Sequence, residues 1–239
     1  MSETAVALTD NEMYERMVSA ILDHRLLPGT KLGEDKLATA FGVSRTRIRP
    51  VLVRLASEQV VTLTPNRGAS VAQPTVQEAR EVFEVRRMIE PTLVELFIAG
   101  AAQLDIDRLT VCIVEEEAAR AEGDLHRAIR LSGDFHLHIA QAAGHQTLGR
   151  ILREMVSRTS LILMTYSPSP QEMREAGEAN NEASLCGCRE HRALLDAIRL
   201  RDPREAARLM REHLGRLESQ LRFAAPVAPV PDLSRLFGV

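Results

Sequence analysis

Three histidines carry the most pointed chemistry in this chain. His136 is followed by Ile139, Ala140 and Ala143 at plus three, four and seven. His191 has Leu194, Leu195 and Ile198 at the same offsets, and His213 stands between Leu209 and Met210 behind and Leu214 and Leu217 ahead. Residues at these offsets share one face of a helix, so each imidazole belongs to the apolar face of its own helix. A lone histidine in that setting is ordinarily a hydrogen-bonded core residue. Three of them on three helices facing one core can meet on a single metal ion. Imidazole suits zinc, nickel, iron or copper, and three imidazoles leave a position open for a ligand. Two alternatives stay open: a three-histidine site completed by water or an added molecule, and three rings packed in the core.

A second group is basic. Residues 45–54 hold Arg45, Arg47, Arg49 and Arg54 and no acid, in a chain whose net charge is −3. Residues 1–74 carry nine Lys/Arg against eight Asp/Glu, so this short stripe is the one plausible electrostatic footprint for nucleic acid. Arg45 and Arg49 are four apart and lie opposite Ile48, Leu52 and Leu55. Such a helix offers one side to a core and the other to a major groove, where arginine can grip guanine with two hydrogen bonds.

The elements that must position these groups follow from local patterns. Thr9-Asp10-Asn11-Glu12 is a capping box opening a first helix, which stops before Pro28-Gly29. A second helix is expected over about 33–41, buries Leu37, Ala38 and Phe41, and is ended by Gly42. Ser44 caps a third, about 45–58. Helix, glycine turn, helix is helix-turn-helix spacing. Pro50 removes one hydrogen bond inside the third helix, so a bend or a loosened first turn is expected. The β-branched run 60–64, the turn Pro65-Asn66-Arg67-Gly68 and the return 69–72 predict a hairpin, a wing whose tip carries Arg67. Thr75-Val76-Gln77-Glu78 is another capping box after Gln73-Pro74, and a domain boundary is expected there. Helices are expected from residue 75 to 222, near 105–122, 125–143, 146–165, 181–199 and 203–222. Before these, Val82, Val85, Ile89, Leu93 and Leu96 form one stripe that Pro91 interrupts, where a kink is expected, and Asp202-Pro203 opens the last helix. Residues 223–239, with Pro226, Pro229 and Pro231, read as a tail.

Composition agrees. Of 239 residues, 45% are apolar and only 3% aromatic, with no Trp, which suits packed helices better than a β-sandwich. The expected fold is mainly α: a winged helix-turn-helix over 9–74 and an all-α bundle over 75–222. No apolar run is long enough for a membrane span, and the first twenty residues lack the apolar stretch of a signal peptide, so a cytoplasmic location and no membrane partner are expected. Cys112, Cys186 and Cys188 make no disulfide framework and read as free thiols. An enzyme is not expected, since no carboxylate or other base stands at a convincing position beside the histidines. A helical scaffold with a degenerate DNA arm is a third reading.

The segment L-A-T-A-F-G-V-S-R-T-R-I-R-P-V-L-V-R-L-A, with V-V-T-L-T-P-N-R-G-A-S-V after it, resembles the winged helix-turn-helix of GntR-family regulators. Arg47 replaces the family's usual proline, and Pro50 its usual glutamate. E-V-F-E-V-R-R-M-I-E and the helical half resemble the FadR subfamily with its effector-binding FCD domain. The resemblance implies a homodimeric, ligand-responsive transcription regulator, a repressor by expectation, bound to double-stranded operator DNA. The implied DNA-contacting set is Lys36, Ser44, Arg45, Thr46, Arg47, Arg49, Arg54, Arg67 and Gly68. F-H-L-H-I-A-Q-A-A-G-H, R-E-H-R-A-L-L-D-A-I and A-A-R-L-M-R-E-H-L align His136, His191 and His213 with metal ligands, implying zinc or nickel. Ser132 stands where the family commonly has a fourth ligand, an Asp. Asp134 lies about 200° around the helix from His136 and pairs better with His138 at the surface. Arg86, with Glu90 at i+4, matches a family arginine. It is either a helical ion pair or, with Ser132, part of an effector site for a carboxylate.

Overall fold

The computed structural model describes residues 8–22, 25–168 and 182–223, and the side chains of all of these except 22 and 182–186. The described residues fall in two compact units, one ending at Gln73 and one beginning at Pro74. The side chain of Cys186, Pro170 and all of the C-terminal segment beyond Phe223 lie outside the described residues.

The first unit is three helices and a small sheet. Helix α1 (Asp10–Leu22) starts at the expected capping box: the Thr9 amide donates to Glu12 at 2.7 Å and the Glu12 amide to the Thr9 hydroxyl at 3.2 Å. It buries Met13, Met17 and Ile21. Strand β1 (Lys31–Leu32) follows, then α2 (Glu34–Phe41), which Gly42 ends at φ +63, a left-handed conformation glycine adopts without steric cost. Helix α3 (Arg45–Ser57) buries Ile48, Val51, Leu52 and Leu55. It runs unbroken through Pro50, an exposed residue. The Thr46 carbonyl that loses its donor is on an exposed residue too, so water can meet it. Ser44 occupies the position before α3, but its hydroxyl lies 2.7 Å from the Thr46 hydroxyl and caps no amide. Strands β2 (Val61–Thr64) and β3 (Gly68–Val71) form the expected hairpin, with Val61 opposite Val71 and Thr64 opposite Gly68. Asn66 and Gly68 turn it with positive φ. The sheet has a third member that the sequence reading missed. β1 pairs antiparallel with β3, giving the order β1-β3-β2. Two residues are too short for a periodic signal.

The second unit is a bundle of six helices among the described residues: α4 (Val76–Gly100), α5 (Gln103–Ala121), α6 (Leu125–Ala142), α7 (Gln146–Tyr166), α8 (Glu182–Arg199) and α9 (Pro203–Ser219). Thr75 and Glu78 close a reciprocal capping box on α4, and Asp202 caps α9 ahead of Pro203. Helix α4 continues through the buried Pro91. It packs against α6, α7 and α9, while α5 packs against α6 and α8. Its buried positions, among them Ala79, Phe83, Arg86, Glu90, Val94 and Phe97, recur three or four apart along one broad face, and Leu96, about 100° around from Phe97, is exposed. No helix among the described residues is long and apolar enough to cross a membrane.

Candidate functional site

The three histidines come from three helices and meet. His136 on α6, His191 on α8 and His213 on α9 are all buried, at 2%, 0% and 3% exposure. Their ring centroids are 5.3 Å, 5.2 Å and 4.7 Å apart. Phe135 stacks on the His191 ring at 4.3 Å and walls one side.

Each ring has a carboxylate on its Nδ1 side. Glu90 of α4 lies 2.5 Å from His136 Nδ1, Glu116 of α5 is 2.8 Å from His191 Nδ1, and Glu190 of α8 is 2.7 Å from His213 Nδ1. The first is an ion-pair contact that misses hydrogen-bond alignment. Each carboxylate is in turn met by an arginine. Arg86 binds Glu90 one turn away, Arg120 reaches Glu116 at 2.8 Å, and Arg216 reaches Glu190 at 3.0 Å. Three Arg–Glu–His relays therefore converge. Burial works against the Glu90 charge, but Arg86 and then His136 outweigh it and hold its carboxyl at about 2. Burial likewise opposes the Glu116 charge, and His191 and Arg120 prevail, again at about 2. Burial pushes His136 down to about 3 and also lowers His213, so both rings are neutral at neutral pH. A carboxylate at Nδ1 keeps the proton there and leaves the Nε2 lone pair free. All three Nε2 atoms are buried without a partner, and one ring nitrogen from each histidine lies within 4.8 Å of the others. Three imidazoles whose Nε2 atoms meet at one point without a partner fit a divalent transition metal.

The expectation that no carboxylate stands near the histidines is corrected: three do. Glu90 was visible only as the i+4 partner of Arg86. Glu116 sits in the run Glu115-Glu116-Glu117, which reads as a solvated face, and Glu190 is merely the neighbour of His191. The signal that could have found two of them is helical spacing, which sets Glu116 on the stripe of Leu109, Cys112 and Ile113 and Glu90 on that of Phe83, Val94 and Phe97. The Arg86–Glu90 ion pair forms and is buried, with Arg86 Nη1 donating to Thr159 at 3.1 Å on α7. Arg86 Nη2 is buried and has no partner. Ser132 is half-buried one turn before His136. Asp134 and His138 are half-buried instead of lying at the surface, and His138 Nδ1 makes no hydrogen bond. Burial raises the Cys112 and Cys188 thiols to about 12, so neither is a ready nucleophile.

In the first unit, α3 presents Arg45 and Arg49 outward, their side chains 65% and 74% exposed. Both are held by acids at the start of α2. Arg45 Nε is 2.7 Å from Asp35, and Arg49 donates to both Glu34 oxygens at 3.2 Å and 3.4 Å. Ser44 and Thr46 are exposed beside them, as is Lys36 on α2. Arg47 and Arg54 turn back toward α1. Arg47 binds Asp10 at 2.7 Å and the Leu8 carbonyl, and Arg54 binds Asn11 while lying 3.5 Å over the Tyr14 ring. Arg67 and Gly68 are exposed at the hairpin tip.

Comparison with known proteins agrees with this architecture. Residues 9–71 match the gntR family of bacterial regulatory proteins, and residues 81–216 match the FCD domain. An uncharacterised HTH-type transcriptional regulator from an unstable DNA locus of Streptomyces ambofaciens is 25% identical, over 97% of this chain and 96% of the relative. The HTH-type transcriptional repressor RspR of Escherichia coli (strain K12) is 22% identical over 89% of each chain. A crystal structure of a GntR transcriptional regulator from Rhodococcus sp. RHA1 superposes with a TM-score of 0.73. It has 21% identity and covers 88% of this chain and 96% of that one.

Proposed function

The chain belongs to the GntR family of bacterial regulatory proteins and carries an FCD domain, and from that premise we propose how this transcription regulator works. It is a cytoplasmic homodimeric repressor that binds double-stranded operator DNA and is released by a small carboxylate-bearing metabolite. The observation that carries the sensor half is the meeting of three buried, unpartnered Nε2 nitrogens in the helical unit.

His136, His191 and His213 would hold zinc or nickel. When bound, the ion supplies an open Lewis-acidic position for an oxygen ligand. Glu90, Glu116 and Glu190 hold the rings in the tautomer that ligation needs. Arg86, through its unmet Nη2, and Ser132 orient the effector carboxylate. In the DNA-binding half, Arg45 and Arg49 face base edges. Ser44, Thr46, Lys36, Arg67 and Gly68 line the backbone contacts, and Arg47 and Arg54 join them by leaving their α1 partners. A repressor role is favoured by RspR, which is named a transcriptional repressor.

The test is a gel-shift assay on operator DNA combined with elemental analysis of protein purified without chelator. The reading expects a specific shift, near-stoichiometric zinc or nickel, and release of DNA by one carboxylate metabolite. A shift without metal, and effector response unchanged in EDTA, would retire the metal and leave the histidines as core residues.

A further inference from the structure

The arginines of α3 form a basic stripe in sequence, but in space their charge is balanced. Arg45 has Asp35 at 2.7 Å, Arg47 has Asp10 at 2.7 Å, Arg49 has Glu34 at 3.2 Å and Arg54 has Glu58 at 3.8 Å. The Arg45 and Arg49 pairs stand out, because these two arginines are exposed opposite the buried Ile48, Leu52 and Leu55. Their acids come from the first turn of α2, where the helix dipole favours a carboxylate. The dipole does not explain why both acids reach across to α3.

The contacts fall on one side of each guanidinium. Asp35 meets Arg45 at Nε, and Glu34 meets Arg49 at Nε and, at 3.4 Å, at Nη2. A guanidinium has a second edge, formed by Nη1 and Nη2, that can grip another pair of acceptors. Guanine offers O6 and N7, both on a neutral base. A phosphate offers two oxygens that carry negative charge, and these meet the neighbouring carboxylate as well as the arginine. Like charges so close repel, most strongly at low salt. A base edge therefore adds to the ion pair, whereas a phosphate must break it or bear the repulsion.

We propose that Glu34 and Asp35 are specificity-determining residues, which keep Arg45 and Arg49 for guanine edges by making phosphate a poor substitute. This rests on the reading of α3 as the DNA-contacting helix given above. Random DNA is bound almost wholly through its phosphates. The two acids thus lower affinity for random DNA and leave affinity for the operator largely intact.

The test uses the full chain and two duplexes of equal length and composition. One is enriched from a random library by the unaltered protein, and the other is its shuffled counterpart. Glu34→Gln, Asp35→Asn and the double variant keep side-chain size and remove charge. Fluorescence anisotropy gives the affinity for each duplex over a series of salt concentrations. The double variant should bind the shuffled duplex about tenfold more tightly at low salt, and the slope of log affinity against log salt should steepen by about one to two. The enriched duplex should gain about threefold or less, so discrimination falls. Damage to the fold cannot imitate this pattern, because it weakens binding to both duplexes. Unchanged or weaker binding to the shuffled duplex, or an equal gain on both, overturns the proposal and spares the DNA-binding reading. Failure of the unaltered protein to enrich any sequence overturns both.

Discussion

At the scale of single residues, two kinds of side chain do different work. Arg49 is an exposed arginine held by both oxygens of Glu34. An exposed ion pair of this sort is worth about 0–1 kcal/mol, so it positions the guanidinium without withholding it from DNA. Arg49→Ala should cost about 1–3 kcal/mol of operator affinity while barely changing affinity for random DNA. Fluorescence anisotropy on both DNAs measures this, and an equal loss on each would reduce Arg49 to a phosphate contact. Glu116 is the opposite case, fully buried and placed behind His191. Glu116→Gln keeps the volume but removes the charge that faces His191 Nδ1. Metal affinity should fall by about 10–100-fold. Competition against a chromophoric chelator reads it directly, and an unchanged affinity would make the Glu116–His191 contact a packing feature.

At the scale of elements, the site depends on how closely α6 approaches α7. A Cβ on Gly133 would stand 2.8 Å from Val156 Cγ1, nearer than carbon atoms tolerate, and a β-branched side chain has little room to turn away. Gly133 is one turn before Leu137 and three residues before His136, so any shift of α6 is carried to the His136 ring. Gly133→Ala should therefore lower stability by about 1–3 kcal/mol, although alanine is the better helix former. Thermal denaturation of the metal-free protein isolates this packing effect. A rise in melting temperature would show that α7 yields freely. The DNA-reading helix depends on a different device: Pro50 costs a hydrogen bond at a position where water can replace it, and α3 stays continuous.

At the scale of the whole molecule, operators of this kind are read as two half-sites, and a two-fold protein matches their symmetry. The first unit is close to neutral and has a short basic stripe, so a single copy makes few phosphate contacts. Sedimentation at micromolar concentration should give about twice the 26.5 kDa of the chain. A species at 26.5 kDa would sink the dimer and the palindromic operator with it.

Much was legible in the sequence because it is local. Capping boxes at Thr9 and Thr75, the Asp202-Pro203 start, the Gly42 stop and the 3.6-residue pattern are short-range signals. They place most helices to within a few residues. The three histidines were found the same way, each from its own helix face. Strand β1 was not, since two residues carry no period and pair with β3 nearly forty positions later. The carboxylates behind the histidines were not either. Glu116 and Glu117 are adjacent in a helix, yet Glu116 is fully buried against His191 while Glu117 holds the more exposed Arg192. The helical period does set Glu116 on the stripe of Leu109, Cys112, Ile113 and Ala119, with Glu117 about 100° around, but nothing local says that an acid on that stripe faces a histidine. Sequence alone determined which residue types were available and which helical face each one shares. Only the tertiary structure decided which acids meet which rings, because those contacts join residues 23 to 75 positions apart, and burial removes the water that would otherwise satisfy them.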